Sequence, residues 1–380
     1  MELNEILTAA VNAHGSDIHL KSGLPPVVRI DGRLLPIPNT PRLTAEETQG
    51  IAFGIMTKKQ QQSFGEKLEL DLSYGVQGLG RFRVSIYLQR GTVGMVFRAI
   101  PFQIPSLESL NLPPALKKLA MEERGLILVT GTTGSGKSTT LASMINYINE
   151  HRTCNIITVE DPVEYLHRDK QSIISQREIG FDTLTFANAL RGALRQDPDV
   201  ILVGEMRDME TIETALTAAE TGHLVMSTLH TLDAPETVNR IIGVFPPHQQ
   251  RQIRLQLSAV LKGVVSQRLM PQATGAGRVP AVEVMIATAR IRECIDDEEK
   301  TKLIHDAITQ GFISYGMQTF DQSLMSLYTK QLITYEEALR QSTNPDDFAL
   351  KVSGISSTSD SSWDKFVTEE EPEPIPVDRF

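Results

Sequence analysis

Cysteine is scarce in this chain of 380 residues, and the two that occur, Cys154 and Cys294, stand far apart without a CxxC pair. Structural zinc sites use closely spaced cysteine pairs, so a zinc knuckle is excluded. Two isolated cysteines also argue against a disulfide in a reducing compartment.

Basic charge, tryptophan and long apolar runs are lacking as well. The net charge is −10 and the one tryptophan is Trp363, whereas proteins that thread nucleic acid use basic grooves with stacked aromatic rings. No segment approaches the roughly 18 apolar residues needed to cross a bilayer, and the first residues form no basic, apolar leader. We therefore predict a cytoplasmic protein that binds no nucleic acid and inserts into no membrane.

The clearest motif is GTTGSGKS at residues 131–138, which fits the phosphate-loop pattern GxxxxGK[ST] and lies between an apolar strand candidate and a helix-like stretch. The glycines let backbone N–H groups turn toward phosphate oxygens, and the helix start adds its positive dipole end. Lys137 would reach the β- and γ-phosphates, and the Ser138 hydroxyl would hold Mg²⁺. The sequence predicts ATP and Mg²⁺ as cofactors, with nucleotide contacts from Thr132, Thr133, Gly134, Ser135, Gly136, Lys137, Ser138 and Thr139.

The first part of the chain, residues 1–102, predicts an α+β domain. Short strand and helix candidates alternate there, with a helical stretch over 44–64 and a strand pair over 68–100. Residues 103–114 follow as a linker, in a stretch rich in proline.

The second part, residues 115–350, changes to βα repeats. Continuous apolar strands between helices indicate a mainly parallel sheet buried on both faces, and further helices follow, one of them predicted over 247–268. Residues 351–380 hold seven acidic against three basic residues and predict a disordered acidic tail. The predicted fold class is α/β.

Polar side chains follow the successive strands of the second part, and in parallel sheets ligands bind beyond the carboxyl ends of the strands. Phosphoryl transfer to water needs charge neutralisation and a group that orients the water. We predict that Glu205 contacts Mg²⁺ or its waters, that Glu164 orients the attacking water and that His230 senses the γ-phosphate. The alternatives are a strand-end salt bridge, a turn carboxylate and a core histidine, respectively.

Residues 81–90 alternate with period two, so that Arg81 and Arg83 share the face opposite the apolar side chains. Two arginines on one strand face are either a solvated surface or donors for an anion. The residues alone leave both readings open.

Several stretches together resemble the secretion-type hexameric ATPases, and in particular the retraction motors of type IV pili. They are GTTGSGKSTT at 131–140, TVEDPVEY at 158–165, LRQDPDVILVGEMRD at 194–208, TAAETGHLVMSTLHT at 217–231, SDIHL at 16–20 and GRFR at 80–83. The resemblance covers roughly residues 1–345. It implies an N-terminal PAS-like domain, a RecA-like ATPase domain and a homohexamer with ATP between the domains.

The same resemblance implies roles for individual residues. Arg81 and Arg83 match arginines that approach the phosphates, with Arg98 as a companion. Glu164 matches the residue that activates water, and Glu205 matches the one linked to the metal. The ring would stand at the cytoplasmic base of the pilus machine. There it would depolymerise pilin through an inner-membrane platform protein, and a paralogous retraction ATPase would be a further partner.

Two features bear on the branch of the family. Extension and type II secretion ATPases usually carry a tetracysteine motif that this chain lacks, which favours the retraction branch. The stretch 289–299 keeps only part of the AIRE-like segment of many retraction motors, and GMQTFD at 316–321 resembles accessory motors as much as principal ones. The alternatives are therefore an accessory retraction ATPase or a non-hydrolysing, nucleotide-dependent regulator; a nucleic-acid translocase and a small-molecule kinase fit less well.

Overall fold

The structure is a computed structural model that describes residues 2–30, 32–100, 103–275 and 277–354. By their internal contacts the residues group into two units, one of Met1–Gln103 with Glu164–Leu166 and one of Ile104–Val163 with His167–Phe380. The predicted fold class is confirmed: an α+β unit with an antiparallel sheet comes first, and a unit with a mainly parallel sheet and C-terminal helices follows. From residue 355 onward, the predicted acidic tail lies outside the described residues.

The first unit contains three helices and six strands among its described residues. In chain order they are α1 Leu3–Asn12, β1 Asp17–Lys21, β2 Val27–Ile30, β3 Arg33–Pro36, α2 Ala45–Ile55, α3 Lys58–Lys67, β4 Glu69–Val76, β5 Gly80–Gln89 and β6 Thr92–Ile100. The strands form one antiparallel sheet of order β3-β2-β1-β6-β5-β4.

Two details of the first unit differ from the sequence prediction. The stretch 44–64 is two helices, because Thr44 and Thr57 each open a helix with a capping box. The predicted strand pair over 68–100 is three strands, since tight turns at Gly78 and at Arg90, both with positive φ, reverse the chain twice.

β5 buries one face and exposes the other, as its alternation predicts. Phe82, Val84 and Ile86 pack into the core between the sheet and the helices. Arg81 is half-buried and Arg83 is exposed on the opposite face. The two arginines are thus surface residues of the first unit.

Seven strands form the sheet in the described part of the second unit. Its elements, up to the last strand, are α4 Ala115–Ala120, β7 Gly125–Thr130, α5 Lys137–His151, β8 Asn155–Glu160, β9 Ile173–Glu178, α6 Phe186–Ala193, β10 Val200–Val203, α7 Met209–Glu220, β11 Leu224–Leu229, α8 Ala234–Gly243, α9 Pro247–Val260, β12 Leu261–Pro271 and β13 Arg278–Ile286. The order is β13-β12-β7-β11-β10-β8-β9; β13 runs antiparallel to β12, and the other neighbouring pairs in this order are parallel. Apolar clusters cover both faces, as expected for a parallel sheet.

The helix predicted over 247–268 is wrong in its second half. α9 ends at Val260, and the chain continues directly as β12. Val264 and Val265 suit a strand, and at Gly263 a Cβ would lie 2.8 Å from the Leu119 side chain, so the strand packs tightly on α4. The apolar run there reads equally well as helix or strand, because periodicity alone does not separate the two.

Helices complete the second unit. They are α10 Ala289–Asp296, a 3₁₀ helix Glu298–Leu303, α11 Ile304–Gln310, α12 Phe312–Tyr315, α13 Phe320–Thr329, α14 Tyr335–Gln341 and α15 Pro345–Val352. α15 extends past the predicted tail boundary at 350 because Phe348 is buried in a small apolar cluster with α13 and α14. Among the described helices, none is both long and apolar enough to cross a bilayer.

Candidate active site

The phosphate loop joins β7 to α5 at the carboxyl edge of the parallel sheet. β7 is buried at every residue and lies between β12 and β11, so the loop leaves from a fixed position. Gly131, Gly134 and Gly136 have φ angles of +139°, +80° and +92°, which residues with a Cβ rarely adopt. At Gly131 a Cβ would also lie 2.4 Å from the carbonyl oxygen of Gln267. The loop path therefore requires glycine at Gly131 for two separate reasons.

The loop presents hydrogen-bond donors suited to an anion. Lys137 is buried, and its Nζ donates to the carbonyl oxygens of Gly131 at 2.8 Å and Thr132 at 2.9 Å. The Ser135 hydroxyl is buried without a hydrogen-bond partner. Gly136 directly precedes α5 and has no side chain to cap the helix, and the N–H groups in the first turn of an α-helix have no partner within the helix itself. Phosphate oxygens satisfy donors of this kind, so these residues fit a bound nucleotide.

The remaining predicted contacts lie around the same loop. Thr132, Thr133 and Gly134 are exposed at its tip, while Ser138 and Thr139 are half-buried in the first turn of α5. Within the described residues, no group of three or more His, Cys, Asp or Glu side chains could hold a metal ion by itself. A Mg²⁺ held by the Ser138 hydroxyl would take most of its ligands from phosphate and water, as this ion often does.

Hydrogen bonds between β10 and β11 bring Glu205 and His230 together. The Thr228 hydroxyl donates to the Gly204 carbonyl at 2.7 Å, and the Met206 N–H donates to the Thr228 carbonyl at 3.2 Å. His230 Nε2 lies 3.7 Å from Glu205 Oε2. The structure therefore brings together two of the predicted catalytic residues, which directly follow the ends of the neighbouring strands β10 and β11, and β11 in turn lies next to β7.

Arg207 is a site residue that the sequence analysis did not single out. Its Nε lies 2.8 Å from Glu205 Oε1, and its side chain is largely exposed. The sequence contained a signal for this contact, because an arginine two residues after a strand-end acid can fold back and form a salt bridge with that acid. The salt bridge that we named as the alternative for Glu205 is thus present. It involves Oε1 of the carboxylate, whereas Oε2 is the oxygen nearer to His230.

The other strand-end acids behave differently. Glu160 Oε1 accepts hydrogen bonds from the Thr158 hydroxyl at 2.6 Å and from Gln176 Nε2 at 3.1 Å, which ties β8 to β9. Glu164 is exposed and groups with the first unit. Its role in activating water stays a prediction.

The arginine face of the first unit contains an ion pair. Arg98 lies opposite Arg83 on the neighbouring strand, and its Nε is 2.8 Å from Asp17 Oδ1. Burial opposes ionisation of Asp17, but hydrogen bonds from Arg98 and Ser16 outweigh it and lower the Asp17 pKa. Arg98 therefore neutralises Asp17, whereas the roles of Arg81 and Arg83 toward a nucleotide stay predictions.

Comparisons with known proteins agree with the motifs. The family model for type II/IV secretion system proteins matches residues 109–340. The type IV pilus retraction ATPase PilT of Pseudomonas aeruginosa is 46% identical over 92% of this chain and 100% of its own length. The type IV pilus ATPase PilU of the same organism is 43% identical over 93% of this chain and 91% of its own length.

A solved structure supports the same conclusion. A crystal structure of the pilus retraction motor PilT with bound ADP has a TM-score of 0.83 and 49% identity, and it covers 91% of this chain and 98% of its own. The resemblance that the motifs predict is confirmed. This chain belongs to the type II/IV secretion ATPase family, in its PilT/PilU-type branch.

Proposed function

We propose that this protein is a hexameric, Mg²⁺-dependent ATPase motor that drives type IV pilus retraction. The observation that carries the proposal is the phosphate loop, which lies at the same sheet edge as the Glu205–His230 pair. The loop contains glycines with positive φ angles, the buried Lys137 and the Ser135 hydroxyl, which is buried without a hydrogen-bond partner. The similarity to PilT and PilU over nearly the whole chain supports the choice of pilus retraction among the motors that share this core.

The residues of the loop bind and orient the triphosphate. Lys137 exchanges its bonds to two loop carbonyls for the β- and γ-phosphates, and the N–H groups of the loop and of α5 surround the phosphate oxygens. Mg²⁺, held by Ser138 and the phosphates, supplies charge neutralisation when bound. The nucleotide contacts are those of the sequence prediction, Thr132 to Thr139.

The strand-end residues act on the γ-phosphate side. Arg207 binds one oxygen of Glu205 and so orients the carboxylate, which would contact Mg²⁺ or its waters. His230 lies near the other oxygen and donates to the γ-phosphate, so it reports whether that phosphate is present. Glu164 activates the attacking water.

Neighbouring subunits complete the catalytic site. Arg81 and Arg83 neutralise the developing charge on the γ-phosphate, a contribution worth about 10³–10⁵ in rate for an arginine finger. Arg98 is left out of this role because Asp17 binds it. ATP binding closes the subunits, phosphate release reopens them, and successive openings around the ring perform the mechanical work.

The motor works at the cytoplasmic base of the pilus machine. It acts on an inner-membrane platform protein, through which pilin subunits leave the filament, and a paralogous retraction ATPase is a further partner.

The test of the proposed function is phosphate release by the purified protein, together with pilus retraction in a strain that lacks it. We expect the wild type to turn over ATP and Lys137→Ala and Glu205→Ala to lower kcat by at least about 10²-fold. In the deletion strain we expect assembled pili that no longer retract. Unchanged phosphate release in both variants would reject the hydrolase assignment.

An accessory motor is the second candidate, because the chain is similar to PilU almost as strongly as to PilT. A principal motor retracts pili when its paralogue is deleted, whereas an accessory motor does so only when the principal motor is present. Retraction measured in both single deletions and in the double deletion separates the two. A regulator without hydrolysis would support retraction with Glu205→Ala in place of the wild type.

A further inference from the structure

We infer that Glu283 is a positioning residue for ATP hydrolysis, which holds the segment after His230 in register with the strand that carries the phosphate loop. This inference rests on the proposed function, since it concerns the same reaction. Glu283 lies on β13, away from the motifs by which the family is recognised in this sequence.

Three buried polar side chains form a row across the sheet. Glu283 on β13 lies opposite Ser266 on β12, and Ser266 lies opposite Thr130, the last residue of β7. Their exposed fractions are 2%, 0% and 0%. The row therefore ends at the residue directly before Gly131, where the phosphate loop begins.

The hydrogen bonds of the row have one direction. The Thr130 hydroxyl donates to Ser266 Oγ at 3.0 Å, and Ser266 Oγ lies 3.5 Å from Glu283 Oε1, at the long end of the hydrogen-bond range. A hydroxyl has a single proton to donate. Both contacts are satisfied when Thr130 and Ser266 each donate toward Glu283, which is the final acceptor.

The same carboxylate oxygen also holds the start of α8. Glu283 Oε1 accepts the Ala234 N–H at 2.9 Å, in a buried position. Ala234 follows His230 by four residues, and the short connection is stiffened by the Thr231 and Thr237 hydroxyls, 2.6 Å apart. The start of α8 and His230 are therefore joined by a short connection that contains its own hydrogen bond. Through one oxygen atom, Glu283 links the phosphate-loop strand to the segment that contains His230.

Burial of the Glu283 carboxylate in its charged form lowers the stability of the folded protein. Burial raises the pKa of Glu283, and so to a lesser degree does the Asp233 charge, whereas the Ala234 N–H, the Arg268 charge and the Ser266 hydroxyl lower it, so that the pKa is about 7. An apolar side chain would avoid the desolvation cost. A buried carboxylate that disfavours folding, next to a catalytic segment, indicates a functional role.

The other charged groups on the neighbouring elements point elsewhere. On α11, His305 and Asp306 are exposed, and on α13, Asp321 accepts the Thr343 N–H at 2.7 Å. On α8, Glu236 accepts the Leu232 N–H at 2.8 Å. The groups that act on the Glu283 charge are therefore Asp233 and Arg268.

The test compares ATP turnover by the full-length protein and by Glu283→Gln, each with and without His230→Ala. Glutamine keeps the shape and can accept the Ala234 N–H, but it cannot ionise. At pH 8 we expect kcat to fall about three- to tenfold with KM for ATP unchanged, which corresponds to about 0.7–1.4 kcal/mol. In the His230→Ala background we expect no further fall, because both changes act through the same segment.

A pH series adds a readout that a purely structural role would not give. The ratio of wild-type to Glu283→Gln kcat should shrink from pH 8 to pH 6, because protonated Glu283 resembles glutamine. Ser266→Ala removes the link to Thr130 with the loss of one oxygen, and should reproduce the loss of kcat even where Glu283→Gln folds poorly. Glu293→Gln, an exposed carboxylate on α10, is the matched control and should leave kcat unchanged.

The outcomes separate the inference from the proposed function. An active wild type whose kcat is unaltered by Glu283→Gln and Ser266→Ala overturns the inference alone. Equal fold-changes with and without His230 overturn it too, because the effect then bypasses that segment. A wild type that releases no phosphate from ATP overturns both.

Discussion

The buried Glu283 carboxylate makes a quantitative prediction about stability. We expect Glu283→Gln to stabilise the folded protein above neutral pH, although the substitution removes a hydrogen-bonded charge. The folded-state pKa is about 7, against an ordinary value of 4.5. A raised folded-state pKa means that the stabilising contribution is fully present below pH 4.5 and is lost as the pH rises through 7.

The size of the effect follows from the two pKa values. Each unit of pKa difference is worth about 1.4 kcal/mol, so full ionisation of Glu283 costs the folded state about 3 kcal/mol. Between pH 5 and pH 8 the wild type should lose about 2–3 kcal/mol of unfolding free energy through this group. Glutamine avoids that loss, but its amide N–H groups need buried partners at a cost of about 1 kcal/mol. We expect the variant to match the wild type near pH 5 and to be about 2 kcal/mol more stable at pH 8.

The assay is thermal unfolding of both proteins in matched buffers from pH 5 to pH 8. A gain of about 2 kcal/mol corresponds to roughly 4–8 °C in Tm for a unit of this size. Glu293→Gln is the control with the opposite sign, because a hydrogen bond and charge from Lys300 lower the Glu293 pKa, so it should bring no gain at alkaline pH. A Tm difference between Glu283→Gln and wild type that stays constant from pH 5 to pH 8 would refute the reasoning.

Three further predictions concern the proposed active site. Lys137→Ala should lower kcat by about 10²–10³, the loss expected for one preorganised donor, and a phosphate-release assay measures it. Gly131→Ala should prevent nucleotide binding in a fluorescent-nucleotide titration, because φ is +139° and the new Cβ meets a carbonyl oxygen; Gly134→Ala, with φ +80° and open space around it, should cost only about 1–3 kcal/mol of strain and keep binding. The double variant Arg81→Ala, Arg83→Ala should lower kcat by about 10³–10⁵ while its circular dichroism stays that of the wild type, and an unchanged kcat would contradict the finger role.

The sequence predicts those features of the fold that local patterns encode. The parallel strands β7, β8, β10 and β11 and the phosphate loop follow from continuous apolar runs next to glycine and polar strand ends. The edge of the sheet is less predictable. β12 begins in a stretch whose apolar residues fit a helix as well as a strand, and its pairing with β7 decides the outcome.

The candidate site follows the same division. Glu205, His230 and the loop stand directly after strands, so their meeting at one sheet edge follows from parallel topology. Arg207 binds Glu205 through a side-chain conformation that the chain order does not specify. Glu283 is 49 residues from Ala234 in sequence, and local sequence patterns do not predict a contact between residues so far apart.

Three residues near the carboxyl end of β7 depart from ordinary backbone or packing preferences, and these departures indicate what keeps the site in position. Gly131 adopts a backbone angle that few residues allow, Ser135 leaves a buried hydroxyl unpaired, and Glu283 carries a carboxylate into the core. A phosphate could satisfy the Ser135 hydroxyl, but it would not reach Glu283, which lies two strands away from the loop. The cost of Glu283 therefore persists with or without nucleotide. A cost that the ligand does not relieve is better explained by alignment of the strand and the His230 segment than by nucleotide binding.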